Sequence, residues 1–316
     1  MKRVLVTGGF GFLGGRIARH LLESGHHVLL GSRTQNPVPK ELKNAIPIQM
    51  NWENEKYLND VCKNVDVIVH SAGMNADDCS RNPIAAFEFN CVGTMRLIEA
   101  AKHQGIKKFI YLSTAHVYKN PLEGNISEQS PIQNLHPYAT SHAAAEFGVS
   151  YANSLNEFQG FILRLSNGFG APVFPEVNCW KLLTNDLCKQ AVQLKTLKII
   201  SSGLQQRDFV PITNITTTVE KVVDLNSKII PTIFNLGSGV SMSIFEMAKK
   251  IQERCNVLFR YEPSIEVNSN SNEYKEKTPL LEYKVDLLKS NHLYTECNFE
   301  SEIDDLLLFC KKNFGA

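Results

Sequence analysis

The sequence predicts an α/β fold built as a doubly wound parallel sheet, and three observations carry that expectation. Short apolar runs alternate with helical periodicity through the first half of the chain. The runs are apolar almost throughout rather than at every second residue. The first of them passes directly into a glycine-spaced turn that opens a helix. Continuous apolar character belongs to strands covered on both faces, and strand–helix alternation implies right-handed β-α-β units. The 316 residues, 43% hydrophobic and 21% charged, suffice for one large or two smaller domains with a buried core.

The elements follow in order. Val4-Leu5-Val6 reads as the first strand, and Ile17, Leu21 and Leu22 share one face of a helix that Gly25 ends. Val28-Leu29-Leu30 is the next strand, Asp66-Val67-Ile68-Val69-His70 the third clear one. A helix through Met95–Ala101 leads to Phe109-Ile110-Tyr111-Leu112-Ser113, and Phe161–Leu165 is the fifth strand. After Gly170 the rhythm changes, and Ala171-Pro172-Val173-Phe174-Pro175 signals a loop. A helix is expected around Phe245–Ile251, and the polar stretch 264–279 reads as a surface loop or cover. No internal repeat is visible.

Composition excludes several classes. Lys plus Arg is 33 and Asp plus Glu is 32, a net charge of +1, which disfavours a nucleic-acid partner. No apolar run is long enough for a membrane span, and the N-terminal run is too short for a signal sequence. Eight cysteines without a C-x-x-C pair read as reduced thiols of a cytoplasmic protein. No metal site is expected: the nine histidines show no ligand-like clustering, and His26-His27 reads as a solvent-facing turn. No Ser lies on a G-x-S-x-G turn.

Thr7-Gly8-Gly9-Phe10-Gly11-Phe12-Leu13-Gly14 follows a strand and opens a helix, with Gly8, Gly11 and Gly14 in G-x-x-G-x-x-G spacing. Such a turn lets backbone approach a pyrophosphate while the helix N-terminus faces the negative charge, so a dinucleotide is expected here. The second strand ends Leu30-Gly31-Ser32-Arg33. Ser32 stands where an acidic residue usually bonds the 2′-hydroxyl of NAD, and Arg33 is a cation able to pair with a 2′-phosphate. NADP is therefore preferred over NAD. Arg16 reads as a surface residue near this site.

At this point the chain resembles the extended short-chain dehydrogenase/reductases, specifically the nucleotide-sugar epimerase, dehydratase and reductase group. Beside the glycine turn, the resemblance rests on His70-Ser71-Ala72-Gly73, Asn90-Cys91-Val92-Gly93-Thr94, Ser113-Thr114-Ala115-His116-Val117-Tyr118 and Pro137-Tyr138-Ala139-Thr140-Ser141. It continues through Arg164-Leu165-Ser166-Asn167-Gly168-Phe169-Gly170, Arg207-Asp208-Phe209-Val210 and Asn235-Leu236-Gly237-Ser238-Gly239. It implies a Rossmann-type dinucleotide domain over residues 1–170, with a returning segment near 212–240, and a smaller, mainly substrate-binding domain over 171–316. It implies cofactor contacts from Phe12, Leu13, Asn51, Trp52, Ser71, Ala72, Gly73 and Asn90. It implies Tyr138 as the acid/base, assisted by Thr114, while hydride moves between a sugar carbon and the nicotinamide. Substrate contacts are implied at Asn167, at Asn178 near a helix start, and at Arg207 on the diphosphate. A homodimer through helices around 90–103 and 138–155 is also implied.

The chain departs from the family at two places. The Lys expected four residues after Tyr138 is His142, on the same helix face. A neutral imidazole can bond a ribose hydroxyl but stabilises a phenolate poorly. The Asp-Glu pair that dehydratases carry after the Thr is replaced by Ala115 and His116. That change speaks against 4,6-dehydration, while His116 has the chemistry of a second proton carrier. The expected function is an NAD(P)-dependent nucleotide-sugar epimerase or keto-sugar reductase. The alternative is a catalytically impaired NADP-binding regulatory or partner subunit.

Overall fold

The computed structural model describes residues 1–34, 37–226, 231–268 and 280–315. Seven parallel strands form the main sheet in the order Ile233–Leu236, Gln159–Leu165, Lys108–Thr114, Val67–His70, Arg3–Thr7, His27–Ser32, Ile46–Gln49. From Arg3–Thr7 the chain first builds outward to Ile46–Gln49. It then crosses back and builds outward on the other side. The order reverses between Arg3–Thr7 and Val67–His70, so the C-terminal ends of these two strands flank the crevice where such sheets hold ligands.

Successive residues of each strand feed opposite faces. Val4, Val6, Leu30, Val69, Ile110 and Leu163 share one core with the helices Phe12–Glu23 and Ile212–Asp224. Leu5, Leu29, Ile68, Phe109, Tyr111 and Ile162 share the other with the helices Thr94–His103 and Pro137–Ser154. Burial on both faces is why the strands read as unbroken apolar runs. The sheet also contains Ile46–Gln49, which the apolar pattern did not reveal. It is an edge strand, mostly exposed, and Pro47 is tolerated there because an edge leaves one side without ladder partners.

A third core joins Phe169, Leu187, Phe209, Met247, Ile251, Ile303 and Leu307 from the helices Leu183–Leu194, Ile244–Phe259 and Phe299–Phe314 and the segments between them. Ile244–Phe259 starts at a capping box in which Ser243 and Glu246 satisfy each other's backbone N–H. Part of the expected polar loop is ordered: Ser264–Val267 is a strand parallel to Thr196–Ile199, with Ile265 and Val267 against the third core. Residues 269–279, including Lys275 and Lys277, lie outside the described residues.

Two sequence expectations need correction. Arg16 is neither at the cofactor turn nor free on the surface. It donates to the Ala171 carbonyl at 2.6 Å and lies 3.9 Å from the buried Glu302 carboxylate, tying the first helix to the C-terminal one. His26 is buried, while His27 is exposed. The His26 Nδ1 accepts from the Lys2 backbone N–H and its Nε2 lies 3.5 Å from Asp224. His26, Glu220 and Asp224 bring one ligand-capable atom each within 4.8 Å, a cluster that spacing in the sequence could not show. Because Lys2 donates to Nδ1, the proton of a neutral His26 sits on Nε2, the atom an ion would need. All eight cysteines are free thiols, six of them buried. No helix among the described residues is long and apolar enough to cross a membrane.

Candidate active site

The strand Arg3–Thr7 ends in a turn that only glycine can make. Gly8 has φ +67°, and a Cβ on Gly14 would lie 2.2 Å from the Gly8 carbonyl oxygen. Gly11 stands at the N-cap of Phe12–Glu23 and brings no capping side chain, and the first helical turn holds no acidic residue. The N–H groups of Phe12, Leu13 and Gly14 therefore remain for an anion, with the helix dipole in support. A dinucleotide fits this cradle on its glycine geometry and donor set.

Thr7 lies opposite His70 in the parallel register, and this pairing anchors the second wall. The Ser71 and Ala72 N–H groups both donate to Thr7 Oγ1 at 3.2 Å. Thr7 Oγ1 then donates to His70 Nδ1 at 2.6 Å, His70 Nε2 donates to Thr94 Oγ1 at 2.9 Å, and Thr94 donates to the Asn90 carbonyl at 2.6 Å. Every proton along this relay has one acceptor, which fixes His70 as a neutral Nε2–H imidazole. Its full burial, and then His142, push its pKa down to about 3. Asn90 lies in the π-helical stretch Phe87–Gly93, accepts from the Met74 N–H at 2.8 Å and donates to Ser141 Oγ at 3.0 Å. It thus pins the Gly73 turn to the helix that carries Tyr138.

That helix, Pro137–Ser154, has His136 at its N-cap, Pro137 at its first position and Tyr138 next. His136 Nδ1 accepts from the Tyr138 N–H at 3.1 Å. Thr114, the last residue of its strand, hydrogen-bonds the Tyr138 hydroxyl and favours its ionised form, but burial dominates and holds the phenol above its ordinary value. His142 packs edge-on to Tyr138 with ring centroids 4.6 Å apart. Its Nδ1 lies 2.7 Å from the Tyr111 hydroxyl. Complete burial lowers its pKa to about 4, so it is neutral at pH 7. The helix is braced from behind by the buried Arg164–Glu146 pair at 2.6 Å, and Glu146 also accepts from Ser113, next to Thr114.

Next to Tyr138 a cleft is lined by His116, Ser166, Asn167, Gln205 and Arg207, the side on which a sugar substrate was expected. His116 is accessible on the short turn Ala115–Val117, 6.5 Å ring to ring from Tyr138. Desolvation in the cleft, then the charges of Arg207 and His136, lower its pKa. Asn134 donates to the His116 carbonyl at 2.8 Å and accepts from the His136 N–H at 3.0 Å, so one side chain ties both histidine segments together. Arg207 does not pair with Asp208. The Asp208 carboxylate is taken by Ser166, Ser238 and the Gly239 N–H, while among the described residues Arg207 is held only by Gln205, at 3.0 and 3.3 Å. Asn167 donates to the Asp208 carbonyl at 2.9 Å.

Other expected residues fall further out. Ser32 ends its strand, and the Arg33 guanidinium lies over the Phe89 ring at 5.1 Å. Trp52 is half-buried between His70 and Phe89, and Asn51 is exposed, its side chain accepting from the Glu53 N–H. Asn178 is exposed in the loop before the helix that begins at Leu183, so it does not start a helix as expected. Thr7, Thr94, Tyr111, Asn134 and His136 escaped the sequence reading. Only His136 carried a local signal, the residue before Pro at a helix start.

Comparison with known proteins agrees with this geometry. The description "NAD dependent epimerase/dehydratase family" matches residues 4–237. The dTDP-D-glucose 4,6-dehydratase of Mus musculus is 33% identical over 266 residues, covering 79% of this chain and 72% of that one. Among solved structures, the Thermus thermophilus UDP-glucose 4-epimerase complex with NAD superposes with a TM-score of 0.80 at 19% identity, over 98% of this chain and 99% of that one. The Bacillus cereus UDP-glucuronic acid 4-epimerase, in complex with UDP-glucuronic acid and NAD, gives 0.79 at 21% identity, over 99% and 100%. The glycine cradle, the Tyr138–Thr114 pair and the extent of these matches make the chain a member of the NAD dependent epimerase/dehydratase family.

Proposed function

We propose that this chain reduces a keto group on a nucleotide-linked sugar, with Tyr138 as the proton donor. The observation that carries this reading is the state of Tyr138. Thr114 hydrogen-bonds it, no Lys or Arg acts on its charge among the described residues, and the neighbour at the usual Lys position is a neutral His142. A phenol in that setting keeps its proton at pH 7. Reduction starts from that form, whereas oxidation of a sugar hydroxyl, the first step of 4-epimerisation, starts from the phenolate. The nicotinamide supplies the hydride when bound. Thr114 orients the sugar oxygen, Tyr138 gives it a proton, and Arg207 holds the diphosphate from the cleft wall. His116 is placed to bond the sugar or to pass a second proton.

Dehydration is less well served. The relatives named as 4,6-dehydratases are similar over most of the chain, but Ala115 and His116 put no carboxylate on the turn beside Tyr138. NADP in preference to NAD is supported by Ser32 in place of an acid and by the Arg33 cation, stacked on Phe89 at the end of the strand. Equal affinity for NADH and NADPH would contradict it. A homodimer is supported by Phe147 and Tyr151, 66% and 67% exposed on the Tyr138 helix beside Met95 and Ile98. Eight free thiols suit a cytoplasmic setting.

The experiment is a reductase assay with nucleotide-linked 4-keto sugars. Stoichiometric NAD(P)H consumption, with a rate that is flat from about pH 7 to beyond 9, is expected from a phenol held above its ordinary value. The rate is lost only as pH rises through the raised Tyr138 pKa. Interconversion of epimers with no net cofactor consumption overturns reduction in favour of epimerisation. A second reading, a partner subunit that binds NADP without turnover, is favoured by the same neutral His142. It predicts dinucleotide binding and no activity across a broad sugar-nucleotide panel.

A further inference from the structure

His142 is the most unusual group in the site, and its two nitrogens have different surroundings. Nδ1 faces the Tyr111 hydroxyl at 2.7 Å. Nε2 lies near Gly73, where an added Cβ would come within 3.6 Å of it. Which nitrogen holds the proton decides what the imidazole can offer to the crevice.

Satisfiability settles it. Tyr111 is buried, and its O–H must find an acceptor. His70, which packs on the Tyr111 ring at 5.7 Å, has both nitrogens engaged by Thr7 and Thr94. The Glu146 carboxylate is occupied by Ser113 and Arg164. Among the described residues the Tyr111 hydroxyl meets His142 Nδ1 as its hydrogen-bond partner. If Nδ1 carried the proton, the Tyr111 hydrogen would be buried without an acceptor.

We infer that Tyr111 is the positioning residue for His142, donating to Nδ1 and so fixing the imidazole as the Nε2–H tautomer with its single N–H directed toward the Gly73 side of the crevice. Resting on the dinucleotide placement of the proposed function, this N–H becomes the donor for a hydroxyl of the nicotinamide ribose. A neutral ring fixed by a phenol thus takes over the bonding role of a lysine without its charge. The wrong tautomer would present a lone pair, which a ribose hydroxyl can meet only by turning its own proton inward. The same bond sets the ring orientation, since a ring flip would put Cδ2 in the place of Nδ1 and lose it.

The test is the tautomer itself, read by long-range ¹H–¹⁵N correlation on protein labelled with ¹⁵N-histidine, His142 being assigned by its loss in His142→Gln. The wild type is expected to show unprotonated Nδ1 and protonated Nε2 across neutral pH. Tyr111→Phe is expected to give a tautomer mixture and about five-fold weaker dinucleotide binding, the worth of one modest hydrogen bond. In the His142→Lys background the same Tyr111→Phe change should leave dinucleotide affinity within about two-fold, because the effect runs through the imidazole. A protonated Nδ1 in the wild type overturns the inference, and so does an equal loss of affinity in both backgrounds. The wild-type spectrum decides even if Tyr111→Phe fails to fold. Because the spectrum needs no turnover, a failed reductase assay alongside the expected tautomer would count against the proposed reaction alone.

Discussion

The two ends of the crevice are built differently. At the dinucleotide end, the polar groups are buried and bonded to one another across the sheet: Thr7 to His70, His70 to Thr94, Asn90 to Met74 and Ser141. At the other end, Arg207 is held among the described residues by Gln205, two positions away, and His116 is accessible. A closed network with every proton assigned has one low-energy arrangement, so the cofactor end is preorganised. The open end can adjust its side chains at little cost. The contrast teaches that the glycine turn and its network are fixed by the fold, while the His116 and Arg207 end is left to more loosely held side chains, where the proposed function puts the choice of sugar.

The sharpest way to break this contrast is at Tyr138, where the ends meet. Tyr138→Phe should lower kcat by about 10³-fold, within the range for removal of a general acid, while leaving dinucleotide affinity within about two-fold. Full activity would end the acid/base assignment. Arg207→Ala should raise KM for the nucleotide sugar by roughly 10- to 100-fold, the worth of a charged hydrogen bond to phosphate, with unchanged dinucleotide binding. Loss of both affinities together would erase the distinction between the ends. His142→Lys should keep or raise turnover and move the alkaline fall of the rate down by about one pH unit or more, since a cation beside Tyr138 favours its phenolate. An unmoved pH profile would show that residue 142 does not act on the phenol.

The smallest effect is on stability. The pKa of His142 is about 4 in the fold against 6.5 in its absence. The unfolded chain therefore binds the extra proton first, and the stability contribution is complete above about pH 6.5 and falls as pH drops toward 4. The slope is about 1.4 kcal/mol per pH unit. The melting-temperature difference between wild type and His142→Gln should shrink as pH falls from neutral to about 5. A constant difference would mean that the imidazole is already charged in the folded state.

Much of this was legible in the sequence. The glycine turn, the buried strands and the Tyr138–Thr114 pair are carried by contiguous residues or by short motifs. Other parts were hidden for stated reasons. Ile46–Gln49 lies on an exposed edge and shows no continuous apolar run. Ser264–Val267 only partly buries alternate residues, Ile265 and Val267, in a polar stretch. Arg16 looked exposed because its partners, Ala171 and Glu302, are far along the chain.

The sequence by itself determined the glycine turn at the helix start, the strand–helix alternation and the replacement of a lysine by His142, because local backbone preference and residue identity need no distant partner. The tertiary structure alone decided what that replacement means. Tyr111 and His142 are 31 residues apart, and Thr7 and His70 are 63 apart. Only the register of the sheet and the docking of the Tyr138 helix bring each pair within hydrogen-bond distance, and that distance sets where the protons reside.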